Sequence, residues 1–139
     1  MELLKNGIFA HALTRYEKNM TPKQAERLQT KIKQIKSALA ADKKRSGGYY
    51  DDSAGRRYQP PQYYIKLGDY SGGATYFRWF YKNFPDDAGF PDFLFEWTLN
   101  LFKTGKIKDA EKMAFKTFCR NTYIFDKFLG KPIVPIVKW

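Results

Sequence analysis

Apolar residues recur along this chain in steps of three and four, and that spacing predicts helices along most of its length. In residues 2–18 the apolar positions are Leu3, Leu4, Ile8, Ala12, Leu13 and Tyr16. They form one face of a helix, weakened by Gly7 and ended by Asn19 and Met20. A second helix has a sharper start. Thr21 is placed to cap it, Pro22 suits its first position, and Gln24 can complete a capping box with Thr21. Its stripe is Ala25, Leu28, Ile32, Ile35 and Leu39, while Lys23, Arg27, Lys31, Lys33 and Lys36 fall elsewhere around it. The helix is therefore amphipathic with a basic outer face. The pattern holds to about Ala41, and the two helices are expected to pair as an N-terminal hairpin over residues 1–41.

Residues 42–60 break the pattern. Gly47, Gly48, Gly55 and Pro60 punctuate a stretch rich in tyrosine and arginine, and a loop of this length is usually functional or disordered. Apolar helical segments with short turns follow: QYYIKL, SGGATYFRWFYKNF, DFLFEWTLNLFK, KDAEKMAFKTFCRN and TYIFDKFLG. The ending KPIVPIVKW alternates Ile and Val between two prolines, which predicts an extended tail over 130–139. No strand pattern finds a partner of similar strength, so the fold class is all-α.

The helices repeat. Placing Gly68 over Gly105 puts Tyr70 on Ile107, Gly73 on Ala110, Phe77 on Ala114, Phe80 on Thr117 and Pro85 on Thr122. A glycine can close a helix in the left-handed conformation, and small residues such as Gly73 and Ala110 let two helices approach. Large ones such as Phe77 and Trp97 fill the space between them, and Pro85 cannot continue the helix before it. These positions resemble the tetratricopeptide repeat, a pair of helices recurring about every 34 residues. The first copy matches it with Gly68, Tyr70, Gly73, Phe77 and Pro85, and the second with Gly105, Ile107 and Ala110, with Trp97 in the slot for a large apolar residue. The longer period fits the turn at 86–89. The second copy lacks the final aromatic and proline, and Pro60 and Pro61 make the first copy's leading helix short. The resemblance covers residues 61–129. It implies antiparallel hairpins in a right-handed stack, and a protein-interaction module that holds a partner segment in the groove of its leading helices. In this chain those helices offer Tyr63, Lys66, Glu96, Asn100 and Lys103. Lys66 and Lys103 both stand two residues before the turn glycine, and would present positive charge to an acidic or carboxylate-bearing partner.

Composition narrows the classes. The net charge is +11, and residues 1–66 hold 14 Lys and Arg against 6 Asp and Glu. A basic half points to an acidic partner, unless it is a solvated helix face and nothing more. Aromatics make up 18% of 139 residues, ample core for one domain. No apolar run approaches the roughly 20 residues of a membrane span, and the charged N-terminus has no cleavage signature of a secreted chain. Cys119 is the only cysteine, which excludes an internal disulfide. A cytoplasmic setting is expected, with no membrane partner.

Catalytic chemistry is thin. His11, the single histidine, sits among apolar helical positions and reads as structural. Cys119 lies beside Phe118 and reads as a buried, inert thiol. The pairs Asp51–Asp52 and Asp86–Asp87 could hold a cation, but turns favour Asp for backbone hydrogen bonding. RSGGYYDDSAG lacks the Gly-Lys-Ser/Thr of a phosphate loop. No enzyme, metal or cofactor is expected. Arg56 and Arg57, with Tyr49, Tyr50 and Tyr58, could grip phosphates or carboxylates, or instead fold back to pair with Asp51 and Asp52. The expected function is thus a non-catalytic protein-interaction module binding an acidic segment through Lys66, Lys103, Tyr63, Asn100, Glu96, Arg56 and Arg57. The alternative is nucleic-acid binding by Lys31, Lys33, Lys36, Lys43, Lys44 and Arg45. Fewer than three repeats leave an open end for the 1–41 hairpin to cap or for a second copy to cover as a homodimer.

Overall fold

The structure, a computed structural model, describes residues 19–130 together with Gly7, Ala10, His11 and Leu13. The expected helix at 2–18 and the tail beyond Gly130 thus lie largely outside the described residues. The described residues are all-helical, with no strand among them. The helices, numbered from the first with described ends, are α1 (Pro22–Arg45), α2 (Pro60–Leu67), α3 (Tyr70–Asn83), α4 (Pro91–Lys103), α5 (Ile107–Arg120) and α6 (Ile124–Leu129). A single 3₁₀ turn, Arg56–Tyr58, precedes α2. The chain separates into two compact units, Glu17–Asp87 in one and Met1–Tyr16 with Ala88–Trp139 in the other. Each is described by itself.

In the unit Glu17–Asp87, α1 starts as its sequence dictates. The Thr21 hydroxyl accepts from the Gln24 backbone N–H at 3.2 Å, and the Gln24 side chain accepts from the Thr21 N–H at 3.0 Å. This closed capping box satisfies two N–H groups that a helix start leaves orphaned. Ile32, Ile35 and Leu39 are buried, and α1 packs on α2. The helix runs past Ala41 to Arg45, because Asp42 is also buried and its carboxylate accepts from the Asp52 N–H at 3.1 Å. Lys43, Lys44 and Arg45 are therefore helical and lie where the helix dipole favours cations. The expected loop shrinks to residues 46–59.

The turn between α2 and α3 is set by Gly68. Its φ of +68° lies in the left-handed region. The Gly68 N–H donates to the Ile65 carbonyl and the Asp69 N–H to the Tyr64 carbonyl, both at 2.9 Å. That pair of bonds is a Schellman closure. Asp69 then caps α3 by accepting from the Gly72 N–H at 2.9 Å. Gly73, Tyr76, Phe77 and Phe80 are buried, and α3 stops at Asn83, just before Pro85.

The other unit repeats the device. Between α4 and α5, Gly105 has φ +79°, its N–H donates to Phe102, and the Lys106 N–H donates to Leu101 at 2.9 Å. The closure at Gly105 is thus the same as at Gly68. Helix α4 buries Phe93, Leu94, Phe95, Thr98 and Leu99, and α5 meets it with Ala110, Ala114 and Thr117. Small residues on α5 let the two helices approach closely. The Thr98 and Thr117 hydroxyls are 3.5 Å apart within this contact, and each also bonds a carbonyl one turn back. Helix α6 packs on both, with the Phe95 ring 5.4 Å from Phe125 and 4.9 Å from Phe128.

Three side-chain expectations change. Phe77 is buried as expected, but Trp97 is only half-buried. Cys119 is exposed, since α5 turns its Ala and Thr side inward and leaves Phe115, Phe118 and the thiol outside. His11 is exposed on helical backbone and not packed among the apolar positions around it.

Candidate functional site

The loop between α1 and α2 is ordered around one arginine. Asp52, buried with a positive φ of 34°, accepts from the backbone N–H of Arg56 at 2.9 Å and of Arg57 at 3.0 Å. The Arg57 guanidinium then reaches back. One terminal nitrogen donates to the Asp52 carboxylate at 2.9 Å, Nε donates to Asp87 at 2.9 Å, and the other terminal nitrogen donates to the Tyr58 hydroxyl at 2.8 Å. The Tyr58 hydroxyl in turn donates to Asp87 at 2.7 Å, and the Tyr76 hydroxyl donates to the Arg57 carbonyl. The guanidinium also stands 4.3 Å from the centre of the Tyr58 ring and 5.2 Å from that of Phe84.

Acid–base behaviour follows from this packing. Burial pulls the Arg57 guanidinium down, but the hydrogen bonds to Asp87 and Asp52 more than offset it and leave it above its ordinary value. Burial first, then the charge of Asp52, push the Tyr76 phenol well above the ordinary tyrosine value. Tyr58 is raised by burial and by its bond to Asp87. The clustered polar groups thus bond one another. Asp52 and Asp87 serve turn and ion-pair roles, and Arg57 folds back onto them.

The outward face of the same unit is different. Lys31 and Lys66 stand over the Tyr63 ring at 5.0 and 5.8 Å, Lys36 over Tyr64 at 5.4 Å, and Lys43 over Tyr50 at 5.3 Å. At 100° per residue, Lys31 borders the buried stripe of α1 on one side, and Lys36 and Lys43 border it on the other, two turns apart. Beside those two lysines lies a cleft of about 260 Å³ lined by Lys36, Leu39, Ala40, Tyr50, Thr75, Tyr76 and Trp79. Its aromatic walls are fixed. Tyr50 meets Trp79 at 5.6 Å between ring centres and 81° between planes, and Tyr76 meets Trp79 at 5.3 Å. Phe84 supports Tyr50 from 5.1 Å.

The residues expected in a partner groove are distributed otherwise. Tyr63 and Lys66 lie in the unit Glu17–Asp87, and Glu96, Asn100 and Lys103 in the other. Tyr63, Glu96 and Asn100 are buried, with Asn100 only 2% exposed. Lys66 is half-buried against Tyr63, while Lys103 and Arg56 are exposed. Lys31, Lys33, Lys36, Lys43, Lys44 and Arg45 are all exposed on α1. Tyr49 stands 78% exposed at the loop tip. Sequence reasoning did not assign Thr75, Tyr76 or Trp79 to a site. The sequence places Thr75 and Trp79 one turn apart on α3, but nothing in it says that they meet Tyr50 and α1. Among the described residues no helix is long and apolar enough to cross a membrane. Compared with known proteins, the chain matches no family model, no curated protein and no solved structure.

Proposed function

We propose that the protein is a non-catalytic binding module whose working surface is the lysine-and-tyrosine face of α1, and that it holds single-stranded nucleic acid there. The observation that carries this reading is the pairing of Lys36 and Lys43, two turns apart on α1, with an aromatic cleft between α1, Tyr50 and α3. Strands without a fixed sequence are held by such a combination: cations that track the phosphates and rings on which bases lie. Lys33, Lys44 and Arg45 extend the positive surface beyond the cleft. An acidic peptide would use the lysines, but it carries a ring only where an aromatic residue falls, whereas a nucleic-acid strand carries one on every unit.

The test is fluorescence anisotropy with a labelled single-stranded oligonucleotide over a series of salt concentrations. Affinity should fall steeply with salt, and the slope of log K against log salt measures the phosphates engaged at about 0.7 each. Changing Lys36, Lys43 and Lys44 together to Gln should weaken binding and lower the slope by about 2, with the protein still folded at the assay temperature. A salt-insensitive affinity, or one indifferent to these lysines, would overturn the reading.

A second reading is supported by the matching closures at Gly68 and Gly105. They favour two tetratricopeptide-like antiparallel hairpins, α2–α3 and α4–α5, with Lys66 and Lys103 in equivalent places. In that reading the partner is an acidic protein segment. Changing Lys66 to Glu, or separately Lys103 to Glu, should then weaken its co-purification, while changes on α1 leave it intact.

A further inference from the structure

The cleft between α1 and α3 is smaller than the sites that take whole small molecules. Those sites span roughly 300–1,000 Å³, and this one measures about 260 Å³. It is sized for one group of a larger ligand. The walls specify the shape of that group. Tyr50 and Trp79 stand nearly perpendicular, at 81°. A flat ring system can therefore lie against one aromatic face while the edge of the other closes its side. Tyr76 is spent as a donor to the Arg57 carbonyl, so it supplies surface and has no proton to donate to a ligand. Leu39 and Ala40 complete an apolar floor. The polar groups at the margin are the Lys36 ammonium and the Thr75 hydroxyl, and the Arg78 guanidinium donates to that hydroxyl at 3.1 Å. The Lys43 ammonium lies over the Tyr50 ring.

From this arrangement we infer that the cleft is a single-nucleotide pocket: one unpaired base lies in the corner that the Tyr50 and Trp79 rings form as walls of the cleft, and Lys36 and Lys43 hold the phosphates on either side of it. The inference rests on the proposed binding of single strands, and adds where a base is held and that its ring, not its sequence, is what the protein detects. The apolar floor has no fixed donor or acceptor set to tell one base edge from another, whereas every base has a flat face.

The experiment compares two labelled strands of equal length and charge, one of deoxythymidine and one abasic with the same sugar–phosphate backbone. Both should bind through phosphates, but the base-bearing strand should bind roughly 5- to 150-fold tighter, the range that stacking of one base gives. It should also quench tryptophan fluorescence where the abasic strand does not. Trp79→Ala should remove the preference and leave the abasic affinity in place. Because Trp79 also packs on Tyr76 and Phe84, a second variant guards against misfolding. Ala40→Leu is an exposed helical change that fills the cleft from its floor, and it should erase the preference with no loss of melting temperature. Equal affinity of wild type for the two strands would overturn the pocket while leaving the phosphate-binding surface standing. Failure of both strands to bind would overturn the pocket and the proposed function together. A preference that survives Ala40→Leu would place the base elsewhere and overturn the pocket.

Discussion

Replacing Arg57 with Ala should be the most damaging single change in the loop that precedes α2, and its magnitude can be worked from the contacts it breaks. The guanidinium bridges Asp52 and Asp87, whose side chains are 1% and 14% exposed. Removing one partner of a buried ion pair costs about 3–5 kcal/mol, because a charge is left without its counterion. Asp52 keeps two backbone N–H donors and Asp87 keeps the Tyr58 hydroxyl, which brings the electrostatic loss towards the lower end. The cation's contacts with the Tyr58 and Phe84 rings add about 0.5–1 kcal/mol each. A loss of about 4 kcal/mol is therefore expected, much of the 5–15 kcal/mol that stabilises an ordinary domain. Arg57→Lys should recover only part, since an ammonium cannot span both carboxylates as the planar fork does. The assay is urea unfolding followed by Trp79 fluorescence with Trp97 and Trp139 changed to Phe, so that the unit Glu17–Asp87 is read by itself. The neighbouring Arg56→Ala, at an exposed side chain, should stay within about 0.5 kcal/mol of wild type and serves as the control. If Arg57→Ala cost less than 1 kcal/mol, or no more than Arg56→Ala, the clamp would not hold the loop and the reasoning would fail.

Two further changes probe the same unit. Gly72→Ala should destabilise by about 1–2 kcal/mol although alanine is the better helix former by about 1 kcal/mol: its Cβ would sit 2.8 Å from a ring carbon of the buried Tyr64 and 2.9 Å from the Asp69 carboxyl carbon that caps α3, and a higher melting temperature would show that neither contact is tight. Stability should also fall above about pH 10, because the folded phenols of Tyr76 and Tyr58 are raised and the unfolded chain gives up those protons first; below that pH their contribution is fully present. Each such group adds a slope of up to about 1.4 kcal/mol per pH unit, so melts between pH 9 and about 11 should show a shallower decline for Tyr76→Phe, and an unchanged decline would mean that Tyr76 is not buried as a neutral phenol.

The sequence made several elements legible because their causes are local. The capping box at Thr21, the proline start of α2, and the glycine closures at positions 68 and 105 each follow from a few neighbouring residues. Where the cause was distant, reading failed. Helix α1 was expected to end near Ala41, where the stretch punctuated by glycines and proline begins, yet Asp42 is buried by a bond to a residue ten positions on. Helix α5 carries apolar residues both on its Ala and Thr side and on the side bearing Phe115, Phe118 and Cys119, and only the register with the first copy, which puts Ala110 at a close approach, tells which side meets α4. The cleft was invisible for the same reason. Tyr50 and Trp79 are brought together by a loop whose shape depends on a positive φ at Asp52.

That dependence links the polar clamp to the proposed site. The tyrosines and arginines of the 42–60 stretch could either grip a ligand or fold back onto the aspartates, and the structure divides them, with Arg57 folded back onto Asp52. Arg57 and Tyr58 face inward with Asp52 and Asp87, and through them the loop is held against α3 by the Tyr76 hydroxyl. Tyr50 lies on the near side of that clamp, two residues before Asp52, and so takes its position against Trp79 from it. A mutation in the clamp should then weaken strand binding without touching a phosphate: Asp87→Asn should reduce the preference for base-bearing over abasic strands while leaving the salt slope unchanged. Loss of Lys36 or Lys43 should do the reverse, lowering the slope and sparing much of the base preference. If both kinds of change altered slope and preference in the same proportion, the ring pocket and the cationic surface would be one feature, and the division between clamp, rings and lysines drawn from these contacts would be wrong.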